Sequence, residues 1–374
     1  MNAGRTLSSL AAELERQRQT RKDYLAPQNK LAAVIDETEN NAVKIDGLNG
    51  AALPLTPYAH RQVADHLAIP QKYYDRMLTE QPHLLAANIN TWLKAAGPER
   101  RMVRTLDGKV RAFMSNKYRP LDNFELAEAV LPKLIDLGVE VTSSELTETR
   151  MYIKGILPEL SDALPEGAVW GTGHTAVAEY NGNAPGKVVA AIVISNSEIG
   201  AGTLRVEPSV FTTWCTNLAV INEAAMRKYH IGRAFEAQED FSIYRDETRE
   251  ANDRAFWLKV GDVTNAAFDR KIFAAAVDQI RLASRDRILS QDLPAVVEAI
   301  VEQLALPERT SSGILTQLAR GGDLTRWGLS SAITATANGT EDYEAATALE
   351  RAGGKVLALG QRDWQRVSEA VAAA

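Results

Sequence analysis

The chain has 374 residues, a formal net charge of −6, and 45% hydrophobic and 24% charged residues, which is ordinary for a soluble globular protein of two or three domains. Its one cysteine, Cys215, excludes an intramolecular disulfide and any zinc site built on several thiolates, and suits a reducing cytoplasm. The histidines at 60, 66, 83, 174 and 230 lack metal-ligand spacing, and the sequence carries neither a long apolar run nor a signal-peptide pattern. Net acidity argues against indiscriminate coating of nucleic acid or membrane but leaves room for a local basic site.

From the N-terminus, Leu7, Leu10, Ala11 and Leu14 recur at helical spacing and predict an amphipathic helix over about 7–24, with Ser8 or Ser9 as its cap. Short strands follow at about 31–36 and 42–46. Thr56-Pro57, Pro70 and Pro82 then mark the starts of three helices, because proline suits the first helical turn. Residues 1–100 therefore read as a helix-rich part with short strands. Residues 101–246 read as a strand-rich central domain, and 247–374 as a helical C-terminal part.

The central domain opens on VRTLDGKVRAFMSNKYRPLDN, residues 103–123. Asp107-Gly108 between two alternating runs signals a two-residue hairpin turn. That register pairs Leu106 with Lys109, Thr105 with Val110, Arg104 with Arg111 and Met102 with Phe113. One face would then carry Val103, Thr105, Val110, Ala112 and Met114, and the other Arg104, Lys109 and Arg111 among Met102, Leu106 and Phe113. Like charges opposed on a sheet cost about 0.2–1 kcal/mol. Residues 94–119 hold eight cations against two anions, a formal +6 inside an acidic chain.

A helix led by Asp122 or Asn123 and stopped by Gly138 follows, with Phe124, Leu126, Ala127, Val130, Leu131 and Leu134 on one face. Strands are expected at VEVTSSEL, RMYIKGIL, TAVAEY, KVVAAIVIS and TLRVEPSV, with NGNAPG (181–186) as a loop. In RMYIKG, Arg150, Tyr152 and Lys154 alternate with Met151 and Ile153, giving a second basic and aromatic face. Strands and helices interleave without a regular βαβ rhythm. The expected class is α+β, a mainly antiparallel sheet with helices packed on one face and helical parts at both ends. In the C-terminal part, DLPAVVEAIVEQLAL offers an apolar stripe for a core or for oligomerisation.

Three readings of the basic strands stay open. Cations interleaved with aromatics suit a nucleic-acid backbone with stacked bases. Carboxylates from elsewhere in the chain would instead make them a salt-bridged structural face. A small anionic ligand is the third. Asp107-x-Lys109 matches half of a metal-dependent nuclease signature without a supporting upstream carboxylate. No nucleotide-binding glycine motif is present, and the apolar surroundings of Cys215 suit a buried thiol.

The stretches AHRQVADHLAIPQKYYDRM, VRTLDGKVRAFMSNKYRPLDN, ETRMYIKG, VISNSEIGAGTLRVEPSVFTTWCTN and RWGLSSAITATANGTEDYEAATALERAGGKVL, in this order over about 56–360, resemble the phage/plasmid-like proteins of unknown function. Ser195-Asn196-Ser197-Glu198 and Cys215-Thr216-Asn217 fit that pattern, while Leu218 stands where the family has glycine. The resemblance implies a mobile element in a bacterial cytoplasm. The strand-strand-helix-strand order also looks like the core of single-strand annealing recombinases, which form oligomeric rings around single-stranded DNA, a likeness at the level of fold alone. On this basis the expected protein is non-enzymatic, binds single-stranded nucleic acid (most simply DNA) and assembles as a homo-oligomer. It would need no metal or other cofactor and touch no membrane. Arg104, Lys109, Arg111, Lys117, Arg119, Arg150 and Lys154 would contact phosphates, and Phe113, Tyr118 and Tyr152 would stack on bases. A structural or host-interaction protein of the defence or counter-defence kind is the alternative, and a metal-dependent nuclease the third.

Overall fold

A computed structural model describes residues 4–118, 121–164, 186–212, 217–221 and 246–370. Arg119, Cys215, the expected strand TAVAEY and all but the last residue of the loop NGNAPG lie outside the described residues.

Helix α1 (Leu7–Thr20) is capped by Thr6, whose hydroxyl accepts the Ser9 amide N–H at 3.2 Å, so the cap falls two residues before the serines expected. The chain then turns extended at Arg21 and forms β1 (Lys22–Pro27), where the helical pattern was read to continue. Pairing decides the matter: β1 lies antiparallel to β5 (Arg100–Leu106), with Tyr24 opposite Val103. Strands β2 (Ala32–Asp36), β3 (Ala42–Asp46) and β4 (Leu53–Pro54) form a small sheet, close to the strands read from sequence. The three proline-marked helices are α2 (Pro57–His66), capped by Thr56, α3 (Gln71–Glu80) and α4 (Pro82–Ala95).

Asp107 and Gly108 both adopt positive φ, +51° and +73°, and turn β5 into β6 (Lys109–Ser115) as their residue types demand. Leu106–Lys109 and Thr105–Val110 pair as expected. A bulge between Arg104 and Thr105 then shifts the register, and Arg104 pairs with Ala112, Val103 with Phe113 and Met102 with Met114. One extra residue on one strand flips every side chain beyond it to the other face. Phe113 therefore joins Val103 and Val110 in the N-terminal core, and Ala112 and Met114 face Ile199 instead.

After α5 (Asn123–Asp136), stopped at Gly138 with φ +77°, come β7 (Glu140–Leu146), β8 (Met151–Ala163), β9 (Lys187–Asn196), β10 (Arg205–Thr212) and β11 (Asn217–Val220). They form one antiparallel sheet in the order β11-β10-β9-β8-β7. The C-terminal helices are α6 (Asp246–Ala266), α7 (Arg270–Ala283), α8 (Leu293–Gln303), α9 (Ser311–Gly321), α10 (Arg326–Asn338), α11 (Tyr343–Leu357) and α12 (Gln361–Ser368). The class is α+β with antiparallel sheets.

The cores cut across the three parts. Leu10 and Leu14 of α1, Leu126, Val130 and Leu134 of α5, and residues of α6 and α7 pack on one face of the five-stranded sheet. Val103, Val110 and Phe113 of the hairpin pack with α2–α4. Helices α8–α12 share a core of their own, which takes Val296, Val297, Ile300 and Val301. The apolar stripe of α8 is thus core and is not available for docking. Helices α10 and α11 also lie on β11 and cover the second face of the sheet. At that contact, Gly354 brings α11 so close to β11 that a Cβ there would stand 1.5 Å from the Val220 carbonyl oxygen.

Candidate nucleic-acid interface

The hairpin cations meet carboxylates from remote parts of the chain. Arg104 is 2% exposed. Its Nε donates to Asp23 at 2.8 Å, Nη2 to Asp122 at 2.7 Å and Nη1 to the Glu198 carbonyl at 2.8 Å. Burial works against its charge, but Asp122 and Asp23 outweigh that and hold its pKa above the ordinary arginine value. Arg111 reaches the buried Glu198 carboxylate at 2.9 Å. The other oxygen of Glu198 accepts the Asn123 amide N–H at 2.6 Å at the start of α5. Asn196 donates to the Leu121 carbonyl and to Asn123, and Arg21 closes the far side of Asp122 at 2.6 Å. Asn196, Ser197 and Glu198, read in the sequence as part of a motif, thus tie the β9–β10 turn to the hairpin and to α5.

The second basic strand is covered as well. Lys154 is fully buried, and its Nζ donates to Glu350 of α11 at 2.6 Å and lies 4.4 Å from the ring centre of Tyr343. Burial pushes its pKa down, opposed by Glu350. Tyr152 packs its ring against Tyr343, with centroids 5.2 Å apart, and burial raises its hydroxyl pKa to about 12. Arg351 of α11 grips Glu207 of β10 through Nε and Nη2 at 2.6–3.1 Å and donates to Ser195 at 3.2 Å.

The expectation of one open basic-aromatic face is therefore corrected for five residues. Arg104, Arg111 and Lys154 are buried in ion pairs, and Phe113 and Tyr152 are buried in cores or ring contacts, because the bulge and α11 turn them inward. Tyr118 is partly buried; its hydroxyl donates to the Ser197 carbonyl at 3.2 Å, and burial lifts its pKa to about 12. Arg150 is partly buried and donates to the Ala201 carbonyl. Lys109 and Lys117 are exposed and make no ion pair among the described residues, but Lys109 starts β6 and Lys117 lies two residues past its far end. Asp107, the carboxylate of the Asp107-x-Lys109 half-signature, is held by Arg16 at 2.6 and 2.9 Å and by Thr20 at 2.8 Å. Among the described residues no cluster of three His, Cys, Asp or Glu is placed to hold a metal ion, and no helix is long and apolar enough to cross a membrane.

Sequence reasoning passed over Asp23, Asp122, Glu198, Glu207, Glu350 and Arg351. Each is an ordinary charged residue in its own segment. All but Asp23 lie in the stretches that carry the family resemblance, but only Glu198 was named there by residue, and Asp122 was read solely as a helix lead. No family model matches the chain, and no curated protein or solved structure matches it.

Proposed function

We propose that the chain is a non-catalytic interaction protein of a phage or other mobile element, working in the bacterial cytoplasm, in which the basic strands are internal clamps. The observation that carries this reading is that Arg104, Arg111 and Lys154, three of the seven cations expected to reach phosphates, each end on a carboxylate from a distant segment. The mobile-element setting rests on the resemblance of the sequence motifs. Leu84 and Trp92 of α4, each about half exposed, supply apolar area for a protein partner or a second copy.

The test is fluorescence anisotropy of a labelled single-stranded oligonucleotide across a salt series, with the Arg104→Ala/Arg111→Ala variant beside the parent chain. The clamp reading expects the double substitution to lower unfolding stability and to leave oligonucleotide binding, if any, with the same salt slope. A slope that falls by about 0.7 per lost phosphate contact in a variant of unchanged stability would overturn it.

Binding or annealing of single-stranded DNA is the second reading. Lys109 and Lys117 favour it, being exposed and unpaired among the described residues, as does Arg150, which has no carboxylate within ion-pair distance among them. On that reading the salt slope flattens in Lys109→Ala, Lys117→Ala and Arg150→Ala, and is indifferent to Arg104.

A further inference from the structure

Where the second face of the large sheet emerges from under α11, its cross-strand pairing lines up Glu145, Tyr152, Ser195 and Arg205 on four adjacent strands. Directly paired residues share a face, and Arg150, two residues before Tyr152, borders the same row. Arg5 takes Glu145 at 2.7 Å, and beside that pair four cations meet three carboxylates. Lys154 takes Glu350, and Arg351 takes Glu207 through two nitrogens. Glu344 accepts from the hydroxyls of Thr147 and Thr149. That leaves Arg205 no nearer than 3.7 Å to the occupied Glu207, and Arg150 with only the Ala201 carbonyl.

Both leftover guanidinium groups have a nitrogen turned inward without a partner. Arg150 Nη1 and Arg205 Nε are buried and make no hydrogen bond among the described residues. Buried donors of this kind are ordinarily satisfied, so an orphaned pair on neighbouring cations asks for an acceptor. The backbone makes room for the arrangement. A Cβ at Gly202 would lie 1.7 Å from Arg150 Nη2, so glycine is what lets the guanidinium rest on the turn, and Gly200 carries φ +79° beside Tyr118. Arg205 has its pKa lowered by burial, with Arg351 and Arg150 adding to the effect against Glu207. Its side chain is still 34% exposed, so solvent reaches part of Arg205.

We infer that Arg150 and Arg205 form a binding notch for a phosphate group, with the turn at Gly200–Gly202 as its floor. A tetrahedral oxyanion supplies several acceptor oxygens, and the planar arginine fork matches them two at a time. The charge sign agrees: a bound anion balances the two cations, Arg150 and Arg205, left over after Glu207 and Glu350 are taken. The notch shares the β9–β10 turn with the clamp of Arg104 and Arg111, which meet Glu198, but uses neither of those arginines, and it stands whether or not the interaction reading does.

Calorimetric titration with sodium phosphate, against sodium chloride at matched ionic strength, tests the notch on the full chain. The expected result is saturable phosphate binding that weakens at least tenfold in Arg150→Gln and in Arg205→Gln. Phosphate binding equal to that of chloride, or unchanged in both variants, overturns it. A measurement on the unaltered chain guards against misfolded variants: phosphate should slow phenylglyoxal modification of Arg205, mapped by mass spectrometry, and leave the exposed Arg366 unaffected. Equal protection of both, or of neither, overturns the notch. Two competitors identify the source of the phosphate group. Displacement by a single-stranded oligonucleotide assigns it to a nucleic-acid backbone, and displacement by a mononucleotide alone assigns it to a small phosphorylated ligand; either outcome supports the notch.

Discussion

Arg104 lies opposite Ala112, one residue away from the Arg111 that the hairpin turn alone would set against it. The two guanidinium groups are thereby relieved of a direct cross-strand confrontation, and both are drawn to the β9–β10 turn. Arg104 meets the Glu198 carbonyl and Arg111 meets the Glu198 carboxylate.

Glu198 is therefore the member whose loss hurts most. Replacing it by alanine strips Arg111 of its carboxylate and the Asn123 amide N–H of its acceptor, both in a buried setting. Removing one partner of a buried ion pair costs about 3–5 kcal/mol. Urea denaturation of Glu198→Ala should show a loss of that size. A loss under about 1 kcal/mol, the ordinary value of an exposed pair, would mean that the cluster is open to water.

Much of this fold was legible, and the reasons divide cleanly. The Asp107-Gly108 turn, the proline-opened helices and the stop at Gly138 are local: each depends on φ or on a missing N–H that the residue type itself imposes. The bulge beside Arg104 has no such mark. It is held from outside the hairpin, where the Thr56 N–H donates to the Val110 carbonyl and Gln62 accepts the Phe113 N–H. The counter-ions were illegible for a related reason. Charge counted over residues 94–119 could not include Asp23, 81 residues from Arg104, nor could the β8 pattern include Glu350, 196 residues from Lys154. The α6–α12 region read correctly as helical, but its amphipathic patterns did not say that α11 would lie on the large sheet. Strand β1 was read as helix because its fate is decided by pairing with β5.

Lys154 and Glu350 offer a cleaner energetic test, since both side chains are almost wholly buried. Lys154→Met and Glu350→Leu should each cost about 3–5 kcal/mol by leaving a lone buried charge, whereas the double variant should recover most of that loss. Chemical denaturation of the four proteins gives the coupling energy directly. Additive losses would show that the two charges do not depend on each other.

His60 governs part of the acid limb of stability. It is partly buried, its Nδ1 lies 2.8 Å from the Tyr74 hydroxyl, and burial, only partly opposed by Asp75, lowers its pKa from 6.5 to about 4. The unfolded chain therefore binds the proton first. Stability from this group is present above pH 6.5 and is lost as pH falls toward 4, to a ceiling of about 3 kcal/mol at 1.36 kcal/mol per unit. His66, lowered by burial and by Arg101, adds with the same sign. Urea midpoints between pH 7.5 and 4 should fall less steeply in His60→Gln than in the parent. Parallel curves would remove His60 from the account.

The contact between α11 and β11 sets the whole covered face, and Gly354 is its tightest point. An added Cβ would meet the oxygen, carbon and nitrogen of Val220 at 1.5, 2.6 and 3.3 Å, all backbone atoms that no rotamer change can move. Gly354→Ala must therefore lift the helix from the strand, and overpacking of this sort costs about 1–3 kcal/mol or more. Lifting also pulls Glu350 and Arg351, one turn earlier on α11, away from Lys154 and Glu207. The loss should for that reason exceed the steric cost alone, and it should shrink in a Lys154→Met/Glu350→Leu background, which has no ion pair to strain. Gly360→Ala is the matched control, because a Cβ there meets nothing within 4 Å. Equal stability of the two alanine variants in thermal unfolding would mean that α11 does not seat on β11, and Lys154 would then be open to solvent.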